Sequence, residues 1–393
     1  MYVTFILSYT ELACAIPRAG GAFVYCTRAL GPTWGSVAGL VQIIEFVFAP
    51  PAIAMAIAAY VGQRVEGLDP RVIAAVAYLA FTGLNAWGVR LAAAIELVVT
   101  CLAVVELLIF MAVVAPAFEL SNLQIDPWPN GWGGFFACLP FAIWFYLAIE
   151  GVANAAEEAR DPQRNVARGF GTAMLTLVVL ALGVFILAVG VGGWRPIVYP
   201  PGSTEPSDAP LPLALAQVVS KESFLYTMLL GIGLLGLIAS FHGIILAAGR
   251  ATMEFGRSGF APRMLGKIHP TRHTPVVALV VNMGAGILAI LSGRTGEIIT
   301  LSCFGAVSLY ILSMIALMRL RRTEPDLARP FRAVAYPYFP LTALAIATAS
   351  LVALAWTNPA IAVVFAVLLS AGIGISILAG RGGASDDWTR GGS

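Results

Sequence analysis

The sequence predicts an all-α polytopic membrane protein. Two compositional observations carry this. Of its 393 residues 59% are hydrophobic and only 11% charged, whereas a soluble domain carries about 25% charged residues. The mean hydropathy is +0.87. A third observation is the spacing of the apolar runs. A helix needs roughly 20 apolar residues to cross about 30 Å of hydrocarbon, and runs of about that length recur along the chain.

Eleven spans follow in order: 2–16, 34–61, 71–88, 91–114, 133–158, 169–193, 222–249, 275–292, 296–320, 338–356 and 359–379. The first is short, about 22 Å of helix at 1.5 Å per residue before Pro17. That shortness is the reason to expect further sequence ahead of Met1, with a genuinely short first helix as the alternative. The second carries Glu45 and then Pro50-Pro51, a pair expected to bend or break it. In the fifth, Glu150 interrupts an apolar run that ends at Asp161-Pro162. The seventh holds Gly231, Gly233 and Gly236, a small-residue face suited to close packing in lipid. The longest polar insert, 193–221, is Pro- and Ser-rich and reads as a surface loop. Residues 1–393 form one transmembrane domain, and 380–393 form a tail.

All of the 23 lysines and arginines except Arg64, Arg71, Arg195, Lys221 and Arg294 fall in one set of alternate loops. Positive loops stay in the cytoplasm, so the C-terminus is expected inside and, with eleven spans, the N-terminus outside. A net charge of +2, without aromatic-basic clusters, gives no reason to expect nucleic acid. The partners expected are the lipid bilayer and a small molecule. Cys14, Cys26, Cys101, Cys138 and Cys303 are scattered, with no two at metal-ligand or redox spacing. No phosphate loop, catalytic triad or metal constellation is present, which argues against an enzyme or a bound cofactor.

Glu150 is the informative residue. A charge in hydrocarbon costs about 2.5–3.5 kcal/mol on the lenient scales, so it needs a partner, a water-filled cavity or a proton. A broken helix supplies such a cavity, because unwound backbone at membrane depth is tolerated where it lines one. Carbonyls and a carboxylate at the break suit an ammonium group. The alternative is a protonated or hydrogen-bonded glutamate with a structural role. Trp144, Phe145 and Tyr146 either wall the cavity, with cation–π contact to a substrate, or simply pack. Glu45 either shares the cation or bonds a freed backbone amide. His242, beside Ser240 in the seventh span, could carry a coupling proton, since histidine titrates near about 6.5; packing is the alternative. Glu96 and Glu106, in the 91–114 span, and Asn85 are weaker candidates. Glu157 and Glu158, followed by Arg160 and Arg164, form either a solvated, topology-setting charge run or an inner gate of ion pairs.

Four stretches lie in order on one side: PRAGGAFVY (17–25), EG at 150–151 with AEEARDPQRNVARG (156–169), GRATMEFGRSGFAP (249–262) and RRTEPDLARPFRAVAYPYFP (321–340). Together they resemble the amino acid–polyamine–organocation transporters over essentially the whole chain. IIEFVFAPPAIAMAIAAY (43–60), IWFYLAIEGVANAAEE (143–158) and IASFHGIILAAGR (238–250) look most like bacterial ethanolamine permeases. The resemblance implies an inverted repeat of five plus five helices with two more, and a substrate held between two helices broken at mid-membrane. PRAGG follows the second helix in that family, so the chain is expected to lack the first. The 133–158 span then corresponds to the broken sixth helix, with Ala148 where the family has a glycine. Ala148, Ile149, Glu150, Trp144, Tyr146 and Glu45 become the expected substrate contacts. The implied function is secondary import of ethanolamine, coupled to H+ or Na+. The alternatives are an amino acid or polyamine permease of the same superfamily, or a non-transporting fragment.

Overall fold

A computed structural model describes residues 1–18, 20–65, 67–88, 92–158 and 161–380, with side chains described outside 92–96, 154–158, 162–163 and 379–380. The expected tail lies beyond these residues. Among them all regular structure is helical. The helices are α1 (Tyr2–Ala15), α2 (Ala22–Leu30), α3 (Pro32–Gly62), α4 (Pro70–Trp87), α5 (Ala92–Val114), α6 (Gly131–Ala137) and α7 (Leu139–Trp144). A 3-10 segment, Ile149–Glu158, leads to α8 (Pro162–Gly192), α9 (Arg195–Val198) and α10 (Pro210–Leu215). Then come α11 (Phe224–Arg257), α12 (Val276–Ser292), α13 (Thr295–Thr323), α14 (Tyr338–Thr357) and α15 (Pro359–Gly380).

Every predicted span finds a helix. Eight helical segments are long and apolar enough to cross a membrane. Two others, α1 and α12, are shorter apolar helices, and α4 is an 18-residue helix with an arginine in its first turn and Asn85 near its end. The architecture is that of an all-helical polytopic membrane protein, as the sequence predicts.

Three differences from expectation have physical causes. First, α3 runs unbroken through Pro50 and Pro51. Each proline removes one i→i−4 bond, but α3 is enclosed by α2, α4, α11, α12 and α13, and packed neighbours let a membrane helix tolerate proline. Second, α8 and α11 extend past their apolar runs into polar sequence. Pro162 sits at the first position of α8, where its missing N–H costs nothing. Helix α11 runs on to Arg257, where the Ser258 N–H closes it on the Glu254 carbonyl at 2.9 Å. Third, residues 22–30 form a helix of their own, too short to show as a span.

Helices α3 and α13 are the most enclosed of the spanning helices. Gly305 lets them touch: a Cβ there would lie 2.6 Å from the Val41 carbonyl oxygen and 2.7 Å from the Glu45 nitrogen. Phe304 and Tyr310 of α13 join Phe5 and Tyr9 of α1 and Tyr25 of α2 in a buried aromatic core. The outer helices instead expose Leu97, Leu175, Val352, Val363 and Leu378, as lipid-facing surfaces do.

Candidate functional site

The fifth predicted span is broken. Regular α-helix stops at Trp144, residues 145–148 form turns, and a 3-10 segment starts at Ile149. The pivot is Ala148, with φ of 67°. That left-handed conformation costs an L-residue about 1–2 kcal/mol, so a glycine would sit there at less strain. Loosened bonds continue the chain: Tyr146 N–H to Ile143 O at 3.1 Å, Leu147 N–H to Trp144 O at 3.3 Å, and Gly151 N–H to Ala148 O at 2.9 Å.

Immediately after the break stands Glu150, 2% exposed, and beside it Glu45 of α3, 0% exposed. The two buried carboxyl groups are close enough to interact. Tyr310 of α13 donates its hydroxyl to Glu150 Oε2 at 3.1 Å. Among the described residues no donor reaches Glu150 Oε1 or either oxygen of Glu45. The Ala148 amide approaches Glu45 without well-formed hydrogen-bond geometry. Among the described residues no lysine, arginine or histidine bonds either carboxyl. Two bare charges about 4 Å apart repel by about 4 kcal/mol at an effective dielectric of 20. The pair is stable only with something positive between its oxygens: a proton, a metal cation or an ammonium group.

The frame around the pair is rigid. Ser302 Oγ donates to the Glu45 carbonyl at 2.8 Å. Tyr2 donates to the Ile143 carbonyl at 2.9 Å, tying α1 to the end of α7, and its ring lies 5.0 Å from that of Tyr146. Trp144 packs with Phe46 and Ile244 in a small apolar cluster. Ile149 lies in the main core. Phe145 instead turns outward, its ring 6.5 Å from Phe185.

The other sequence candidates are dispersed. Asn85 of α4 contacts His242 Nδ1 at 3.0 Å and donates to the Phe81 carbonyl at 3.0 Å. Glu106 is buried beside Tyr60 and Tyr226 in a different part of the bundle. Of the expected inner gate, Arg164 approaches Asp161 at 4.0 Å on an exposed surface. Arg160 and the side chains of Glu157, Glu158 and Glu96 lie outside the described residues.

One ionic centre escaped sequence reading. Glu11, 1% exposed near the end of α1, is gripped by Arg321 through Nε at 2.8 Å and Nη2 at 2.5 Å. Arg329 adds an ion pair at 3.0 Å, and the Ala333 N–H donates at 2.6 Å. Arg321 also lies 4.0 Å over the Tyr336 ring. Arg329 spends its remaining N–H groups on the carbonyls of Leu320, Glu324, Pro325 and Leu327. This cluster locks α1 to α13 and to the 324–337 segment. The available signal was a lone glutamate in an apolar helix, the same one that marks Glu150. At the opposite end Thr295 donates to Asp208 at 2.9 Å. Burial raises that carboxyl above its ordinary range, and the hydroxyl bond partly opposes the rise.

The amino acid permease family profile matches residues 1–378. The chain belongs to the amino acid permease family. Its members are permeases and transporters rather than enzymes, and this permease is accordingly a multi-pass membrane transporter. It is 27% identical over 353 residues to an uncharacterized transporter of Rhizobium meliloti, covering 87% of this chain and 73% of the relative. It is 25% identical to the branched-chain amino acid permease BcaP of Bacillus subtilis, covering 90% and 78% of the two chains. The methylthioribose transporter of Bacillus subtilis is 23% identical, with 85% and 74% covered.

Proposed function

We propose that this permease carries a small protonated amine, with ethanolamine the first compound to test, by alternating access across the cytoplasmic membrane, its arginine-rich end inside. The observation behind this reading is the Glu45–Glu150 pair at a helix break, with carboxyl oxygens that meet no basic side chain. An ammonium group offers three donors to those oxygens and relieves their mutual repulsion. Trp144 and Tyr146 precede Glu150 on the other side of the break, and their rings are the contacts proposed for the amine's carbon skeleton. The likeness of residues 43–60, 143–158 and 238–250 to ethanolamine permeases supports the same substrate.

A second reading is a neutral amino acid. The likeness to a branched-chain amino acid permease favours it, and so does the loosened backbone at 145–148, whose amides suit a carboxylate. Against it, the amides of Phe145, Tyr146 and Leu147 already bond the carbonyls of Phe141, Ile143 and Trp144, and that of Ala148 approaches Glu45.

Uptake of labelled ethanolamine into proteoliposomes, challenged with excess unlabelled ethanolamine, leucine, alanine, serine and putrescine, tests the choice. Ethanolamine should compete best. Labelled leucine taken up in place of ethanolamine would overturn the amine reading in favour of the amino acid.

A further inference from the structure

We infer that the Glu45–Glu150 pair is a proton-coupling site, which holds one proton between its two carboxyl groups when no substrate is bound and releases it to water as a protonated amine takes its place. This deepens the amine reading above and rests on it. The two side chains come from separate elements, α3 and the 3-10 segment after the break, so their meeting is a product of the fold rather than of local sequence.

Donor bookkeeping singles out the one-proton state. Of the four carboxyl oxygens, Tyr310 serves one and three have no donor among the described residues. With no proton, two like charges face each other in a dry interior. With two protons, no charge remains to attract a cation. A single proton turns one carboxyl into a donor for the other and leaves one negative charge. Replacing that proton by an ammonium group keeps the net charge at minus one and keeps the facing oxygens hydrogen-bonded. The amine enters and leaves protonated; the one bond broken is the carboxyl O–H, whose proton passes to water, and one positive charge is exchanged for another.

The surrounding groups leave the exchange to this pair. Helix α1 brings the phenols of Tyr2 and Tyr9 toward it, and α13 brings the phenol of Tyr310 and the thiol of Cys303. Helix α11, packed against α3, brings apolar Ile244 and Ala248 beside Phe46. None of these groups carries a positive charge. Tyr310 has a single O–H and already donates it to Glu150, so it steadies the carboxylate without supplying the missing charge.

The test is proton release measured together with binding. Ethanolamine, pre-adjusted to the sample pH, is added to the purified full chain in weakly buffered detergent with a pH indicator, while labelled ethanolamine reports occupancy in the same sample. About one proton should appear per amine bound. Binding with no release, or with proton uptake, overturns the inference while leaving the amine reading intact. Failure of ethanolamine to bind overturns both. Release should disappear in Glu45→Gln; release that persists in a folded, binding-competent Glu45→Gln protein would move the proton elsewhere and overturn the assignment. Where that variant does not fold, the wild-type stoichiometry alone decides.

Discussion

Glu11 and Glu150 are both glutamates buried in apolar helices, yet their surroundings are opposite. Glu11 receives two guanidinium groups and a backbone N–H. Glu150 receives one phenol and faces a second carboxyl. A buried charge requires compensation in either case. At Glu11 the compensation is covalently part of the chain, so the contact is a lock. At Glu150 the chain supplies too little, so the compensating charge must come from outside and can be exchanged. The sign of the neighbours separates a structural carboxylate from a transport carboxylate, where burial alone does not.

That contrast can be broken first at Glu11. Glu11→Gln leaves Arg329, only 7% exposed at its side chain, without its counter-charge. Removing one partner of a buried pair costs about 3–5 kcal/mol. A large fall in melting temperature, or loss of folded protein, is expected, with substrate affinity unchanged in whatever protein folds. An undiminished melting temperature would erase the distinction between the two sites.

Tyr310→Phe removes the hydroxyl that holds Glu150 Oε2. A hydrogen bond of this kind is worth about 0.5–1.5 kcal/mol, so amine affinity should change severalfold while the melting temperature moves little. A change confined to stability would place Tyr310 with the core and not with the site.

Ala148→Gly relaxes the left-handed pivot. A gain in stability of about 1 kcal/mol is expected, read from thermal unfolding. A loss would show that the alanine methyl packs better than the strain costs.

The smallest effect is expected at His242. Its ring already meets Asn85, so His242→Asn should leave the pH profile of uptake in place. A flattened profile would transfer proton coupling from the carboxyl pair to the histidine.

The spans were legible because crossing a membrane is a one-dimensional requirement of length and apolarity. The break near Ala148 was implied by the resemblance to permeases whose sixth helix is broken there, whereas the need for a partner, a cavity or a proton at Glu150 was legible from its charge. Glu45 was read as a candidate partner for the same reason. What the linear pattern hid was pairing across the chain. Arg321 meets Glu11 from 310 residues away, and Tyr310 meets Glu150 from 160 away. Glu11 carried the same lone-charge signal as Glu150, but its helix was read for its shortness. The 157–164 charge run invited a gate because its charges are adjacent in sequence, whereas the ionic lock visible among the described residues is assembled from α1, α13 and the segment after it. Pro50-Pro51 suggested a bend or a break, and of these the break does not occur in the enclosed α3.

The central claim is that the carboxyl of Glu150 accepts a cation from outside the chain. Equilibrium binding of labelled ethanolamine to purified Glu150→Gln, compared with the unaltered protein at matched fold and detergent, tests it most directly. Affinity should fall by at least about tenfold, the equivalent of about 1.4 kcal/mol. Equal affinity in the two proteins would contradict the account.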